Sequence, residues 1–159
     1  MRSGEPVAVD ANVLVYALFQ DTPHHHASRA LLEHGGSREL RLCVASQVLA
    51  EFFSIATGAK RVSDPRTPEE AAAAIESLLA IPNISLLGAP SEVTSLWLEI
   101  VRRHPVRGGA IFHLQLVATM RASGAQRICT FNQKDFEGFS DLEILTPSDI
   151  IDPDSILAR

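Results

Sequence analysis

Short apolar runs alternate with stretches of helical periodicity along this chain, and that alternation limits the folds open to it. The runs cover residues 7–9, 40–45, 84–87, 127–131 and 142–145. Their length and content suit buried strands. Between them lie apolar stripes with helical spacing, such as Val48, Leu49, Phe52 and Ile55, and Val93, Leu96, Trp97 and Ile100. Strands that alternate with helices predict a parallel sheet in a three-layer α/β fold. At 159 residues the chain is read as one domain, 1–159, with no internal repeat, low-complexity segment or linker.

Local signals fix several boundaries. Residues 11–19 read as the start of a helix, or a turn into one, after the first strand. Thr22 with Pro23 predicts a helix start, and Gly35 with Gly36 its stop. Ser46 reads as the N-cap of the helix that ends at Gly58. Thr67-Pro68-Glu69-Glu70 carries the capping-box spacing. Ser91 caps the helix bearing Trp97, which reads as core. Residues 110–122 form the next helix, closed by Gly124. Thr146-Pro147 ends the fifth strand, and the acidic residues from 149 to 154 form a last helical turn.

Composition narrows the function classes. Hydrophobic residues make up 46% and charged residues 21%, as in a globular protein. No apolar run approaches the ~18 residues of a membrane span, and no basic stretch precedes a long apolar one. The cytoplasm is therefore the expected location, with no membrane partner. The net charge of −5 argues against binding nucleic acid by bulk electrostatics. A nucleic-acid substrate would need local cations or a bound metal. The local cations are Lys60, Arg61 and Arg66, and a second group at Arg102, Arg103, His104 and Arg107. Cys43 and Cys129 sit in strand runs and read as core thiols. His24, His25 and His26 point different ways around a helix, so they read as a solvated helix start and not a metal site.

The chemistry gathers around carboxylates. Val7-Ala8-Val9 stops on Asp10, followed by Asn12. Ligand sites of open parallel sheets lie at the carboxyl ends of strands. Glu51 interrupts an apolar stripe on the helix after strand two, and Asp135 lies in the loop after strand four. If strands one, two and four are neighbours, these acids converge. Converging carboxylates need protons or a cation, and oxygen-rich sites suit Mg²⁺ or Mn²⁺. Such a site can polarise a phosphoryl oxygen and activate water. Glycine-rich phosphate loops and the Gly-x-Ser-x-Gly elbow do not occur.

Four segments together resemble the PIN-domain family, and within it the VapC-type toxins of bacterial toxin–antitoxin pairs. They are Val7-Ala8-Val9-Asp10-Ala11-Asn12-Val13-Leu14, Ala50-Glu51-Phe52-Phe53, Leu116-Val117-Ala118-Thr119-Met120, and Thr130-Phe131-Asn132-Gln133-Lys134-Asp135-Phe136. The resemblance covers almost the whole chain and implies a five-stranded parallel sheet in the order 3-2-1-4-5. That order places strand one between Cys43 and Cys129, too far apart to bridge. It implies a Mg²⁺- or Mn²⁺-dependent endoribonuclease. Asp10, Glu51 and Asp135 would bind metal, Asn132 and Thr130 would shape the site, and Asn12 would orient Asp10 or a water. It also implies a small antitoxin partner, an RNA substrate and a homodimer.

One departure stands out. The family's third acid falls at His113, and no Asp or Glu lies between Glu99 and Asp135. Histidine there removes a negative charge. It offers a nitrogen that suits Mn²⁺, Zn²⁺ or Ni²⁺ better than Mg²⁺. It can also carry a proton near neutral pH and take the metal's place beside the acids. His113 is therefore a candidate catalytic and metal-binding residue, with reduced Mg²⁺-dependent activity expected. The alternative is an inactive PIN fold that binds antitoxin or RNA without cutting. Lys60, Arg61 and Arg66 are the expected RNA-contacting edge.

Overall fold

A computed structural model describes residues 4–34 and 40–152. Five parallel strands form its sheet: β1 (Val7–Val9), β2 (Leu42–Ala45), β3 (Ile84–Leu87), β4 (Arg127–Cys129) and β5 (Glu143–Leu145). Their spatial order is β3-β2-β1-β4-β5. Central β1 pairs on one side with β2, Ala8 facing Cys43, and on the other with β4, Val9 facing Cys129. Every residue of β1, β2 and β4 is buried. A parallel sheet covered on both faces requires such runs. The edge strands β3 and β5 are partly exposed. This is the fold class expected from the alternation and from the resemblance.

The helices are α1 (Ala11–Leu18), α2 (His25–His34), α3 (Ser46–Thr57), α4 (Pro68–Leu79), α5 (Glu92–Arg103), α6 (Ile111–Ala122) and α7 (Pro147–Ile151). One group packs as α2 on α1 and α7, α1 on α3, and α3 on α4, while α5 packs on α6. The result is the three-layer α/β/α arrangement. Among the described residues, no helix is long and apolar enough to cross a membrane.

Local chemistry explains where most helices begin and end. Thr67 and Glu70 form the expected capping box, with Oγ1 accepting from the Glu70 N–H and Oε2 from the Thr67 N–H. Gly124, at φ +73°, closes α6. The Ala125 N–H bonds Met120 O and the Gly124 N–H bonds Arg121 O, a pairing that requires the left-handed residue.

Two expected helix starts are corrected, and at two other expected boundaries the position holds while the side-chain chemistry differs. The N-cap of α3 is Ala45 and not Ser46, because β2 passes straight into the helix and Ser46 is its first residue. Thr22 does not cap α2: its hydroxyl donates back to Phe19 O at 2.7 Å, and the helix starts three residues later. Ser91 stands at the N-cap of α5 but makes no side-chain cap bond. Thr146 does more than end β5; with Asp149 it forms a capping box that opens α7. The stop assigned to Gly35-Gly36 and the tail beyond 152 lie outside the described residues. Trp97 is half-buried and packs against the core. Both cysteines are free. Burial pushes the Cys43 thiol up to about 11 and holds Cys129 well above its ordinary value, so neither is a reactive thiolate.

Candidate active site at the strand ends

Asp10 follows the last residue of β1 and caps α1. Its N–H still bonds Cys129 O across the strands at 3.0 Å, while its Oδ1 accepts the Ala11 N–H at 2.8 Å. The carboxylate therefore sits at the helix N-terminus, where the backbone dipoles favour negative charge. It is 4% exposed. The Thr130 hydroxyl donates to Asp10 Oδ2 at 2.8 Å, and Asn12 Nδ2 donates to the same oxygen at 3.1 Å. Thr130 Oγ1 in turn accepts from Asn12 Nδ2 at 3.1 Å and from the Asn132 N–H at 3.0 Å. Asn12 Oδ1 accepts from the Phe131 N–H at 3.1 Å. The end of β1 and the end of β4 are thus tied through side chains.

Glu51 approaches from α3. Burial pushes its carboxyl above the ordinary 4.5, and the charge on Asp10 pushes the same way; His113 and Arg61 partly offset both. Two acids from different strand–helix units therefore feel each other. His113 lies in the first turn of α6, with Nε2 3.5 Å from Asp135 Oδ2. Its ring meets Phe136 edge-on at 5.5 Å. Asp135 ends the 3-10 turn Gln133–Asp135. The expected acids and the imidazole are brought to one end of the sheet.

A groove of about 1020 Å³ runs over this end. Glu51, Lys60, Arg61, Phe112, His113 and Asn132 are among its walls. Asp10, buried in its network, does not line it. Arg66 is not brought there either. Its guanidinium lies over the Phe19 ring at 4.8 Å and bonds Asp64 at 3.1 Å. A smaller cleft of about 550 Å³, lined by Leu14, Leu18, Leu32, Phe52, Leu78 and Ile81, contains none of these residues. The chemistry favours the larger groove, since the cleft walls are mostly aliphatic.

Among the described residues, no three Asp, Glu, His or Cys side chains stand close enough to hold a metal ion together. That spacing does not suit a closed, all-protein cage. Mg²⁺ usually keeps several waters and binds through one or two carboxylates with substrate phosphate. Asp10, Glu51 and Asp135 offer the oxygen donors that a hard cation takes, and His113 adds a nitrogen.

Three features escaped sequence reasoning. His24 is not simply solvated: its ring stacks on Phe131 at 4.1 Å, and both rings meet Tyr16. His25 Nδ1 lies 2.9 Å from Tyr16 O. Gln47 Nε2 donates to Phe112 O at 3.0 Å and joins α3 to α6. Phe112 is 53% exposed. In sequence it stands beside Ile111 and Leu114 and is indistinguishable from a core residue.

The fold and the strand-end carboxylates define an α/β protein with a parallel sheet in the order β3-β2-β1-β4-β5 and acidic side chains gathered at one end of it. The PIN domain family profile matches residues 7–142, and the chain belongs to that family. It is 37% identical over 76 residues to Ribonuclease VapC43 of Mycobacterium tuberculosis (strain ATCC 25618 / H37Rv). That match covers 48% of this chain and spans about half of the relative, 52%. Ribonuclease VapC24 of the same organism is 26% identical over 147 residues, covering 89% of this chain and 96% of that one. Among solved structures, the Sarcin-Ricin loop cleaving toxin VapC20 of M. tuberculosis has a TM-score of 0.64 at 16% identity, covering 84% and 95% of the two chains. VapBC2 from Rickettsia felis, bound to a promoter DNA fragment, has a TM-score of 0.63 at 18% identity, covering 89% and 98%. These two likenesses concern the fold.

Proposed function

We propose that this chain is a metal-dependent endoribonuclease, the toxin of a toxin–antitoxin pair, hydrolysing RNA phosphodiester bonds. The observation that carries the reading is the fixed, buried Asp10 carboxylate whose charge reaches Glu51. Membership of the PIN family and the names of the ribonuclease relatives support it. The proposed cation is Mg²⁺ or Mn²⁺, held by Asp10, Glu51 and Asp135. It would supply a polarised phosphoryl oxygen and a more acidic water. Asn12 and Thr130 hold Asp10 in place, and Asn132, which lines the groove, would shape the site around the RNA. The chain acts as one domain, in the cytoplasm and as a homodimer, and a small antitoxin covers the acidic groove. Solved relatives that are complexes of toxin with antitoxin support that partner.

His113 lowers the activity in this reading. Its imidazole faces Asp135, where a cation would otherwise be drawn, and contributes no negative charge. The same contact favours a second reading, a PIN fold that binds antitoxin or RNA without cleavage. One experiment separates them: cleavage of a mixed RNA pool by antitoxin-free protein in Mg²⁺ or Mn²⁺, beside His113→Asp and Asp10→Ala. The expected result is strong Mg²⁺-dependent cleavage by His113→Asp, weak cleavage by the parent and none by Asp10→Ala. Parent activity equal to His113→Asp removes the impairment. Silence from all three moves the non-catalytic reading to the front.

A further inference from the structure

Phe112 exposes 53% of its surface in the groove that Glu51, His113 and Asn132 also line. Three other large apolar side chains among the described residues are more than a third exposed: Leu79, Leu86 and Leu98. None of them is aromatic and none lines the groove; Phe112 does both. An aromatic ring left in water contributes little to folding. Its backbone is nevertheless fixed, since Phe112 O accepts from Gln47 Nε2 at 3.0 Å.

The groove has a direction. Gln47, Glu51, Ser54 and Ile55 recur on one face of α3 and line it together with the C-cap Gly58. Phe112 is joined to Gln47 at the start of that face. Lys60 and Arg61 are exposed just past its end. Roughly 15 Å of helix axis separates the two ends. Glu51 stands one turn beyond Gln47, and His113 adjoins Phe112. The order along the groove is thus aromatic ring, acidic site, then cations. An aromatic platform joined to a basic track is how proteins hold single strands without reading their sequence. The cations complement phosphates that the acidic site alone would repel.

We propose that Phe112 is the platform on which an unpaired base of single-stranded RNA stacks, with Lys60 and Arg61 taking the phosphates at the far end of the groove. This rests on the ribonuclease reading and names the form of its substrate: the strand must be unpaired where it crosses the groove.

The test is fluorescence anisotropy of a labelled single-stranded oligoribonucleotide of mixed sequence, in EDTA so that nothing is cut. The same strand with abasic sites and a duplex of that sequence serve as probes beside it. The proteins are the parent, Phe112→Ala and Phe112→Trp. The parent is expected to prefer the base-containing single strand. Phe112→Ala weakens that binding roughly 5- to 100-fold, leaves the abasic strand unchanged and melts at the parent's temperature. Phe112→Trp restores binding. Equal affinity of Phe112→Ala and parent for the base-containing strand overturns the proposal while the ribonuclease reading stands. If Phe112→Ala keeps RNA binding but loses self-association in sedimentation, the ring belongs to an interface between copies and the proposal falls. A parent that binds no RNA overturns the proposal, and cleavage of the RNA pool by the parent and His113→Asp in Mg²⁺ or Mn²⁺ decides the ribonuclease reading separately.

Discussion

At the ends of β1 and β4 the polar side chains are committed to one another, whereas those that α3, α6 and the 133–135 turn bring to the same place are nearly unattached. Asp10 is 4% exposed and Thr130 fully buried; the Asp10 oxygens take donors from Ala11, Asn12 and Thr130, and Thr130 Oγ1 takes donors from Asn12 and the Asn132 N–H. Across the groove, the contact between His113 and Asp135 is 3.5 Å long, with side chains 26% and 40% exposed. Glu51 is half-buried and carries a raised carboxyl. The strand-end half is preorganised, because each acceptor there has its donor before any ligand arrives. The helix half is poised by charge alone, so its geometry depends on what binds.

The strongest way to break that contrast is to dismantle the strand-end half. Thr130 Oγ1 donates once and accepts twice, which is all a hydroxyl can do. Thr130→Val keeps the shape and removes all three bonds. It leaves the Asn132 N–H and one Asn12 N–H without their acceptor, and Asp10 Oδ2 without its shortest donor. An unsatisfied buried group costs about 1–3 kcal/mol. For a chain of this size that lowers the melting temperature by about 2–12 °C. RNA cleavage should fall with it, because Asp10 loses its orientation. A Thr130→Val protein with the parent's melting curve would show that the network is not the rigid half.

The helix half should respond in the opposite sense. Burial, then the charge on Asp10, raises the Glu51 carboxyl above its ordinary 4.5. The folded protein holds that proton to higher pH than the unfolded chain does. Stability from this group is therefore full below about pH 4.5 and is lost as pH rises through the raised value. Glu51→Gln removes the charge and the titration together. It should melt above the parent at pH 7, and the gap should close as pH falls towards 4. Thermal melts at the two pH values measure it, and a gap of the same size at both would mean that Glu51 is not held against its neighbours' charge. A group that weakens the resting fold when ionised is what a ligand-organised half requires.

The same contrast marks what could be read from the chain. Asp10 was legible because a strand of three apolar residues stops on it, a local pattern. The capping box of Thr67 and Glu70 was legible for the same reason. Ser46 misled because a cap is set by where the preceding strand hands over, and β2 leaves no gap before α3. Sheet order is non-local, so alternation alone predicted a parallel sheet without ordering it; the order came from the family resemblance. The meeting of Asp10 with Glu51 depends on β1 lying beside β2 and needed that order too. Phe112 was illegible because its exposure follows from how α6 is placed against α3, and no neighbour in sequence signals it.

The smallest effect concerns the cations grouped together in sequence, which the structure separates. Lys60 and Arg61 line the groove, while Arg66 packs over Phe19 and pairs with Asp64. Lys60→Ala with Arg61→Ala should weaken binding of single-stranded RNA and flatten its salt dependence by up to about 1.4 in log–log slope, at roughly 0.7 for each phosphate no longer neutralised. Arg66→Ala should leave the slope alone and cost about 0.5–1 kcal/mol of stability, because no cation then covers the Phe19 ring. Affinities measured across a salt series, beside melting curves, distinguish the two. If Arg66→Ala flattens the slope as much as the double variant, RNA reaches past the groove, and the track from Phe112 to Arg61 is too short a description of the bound strand.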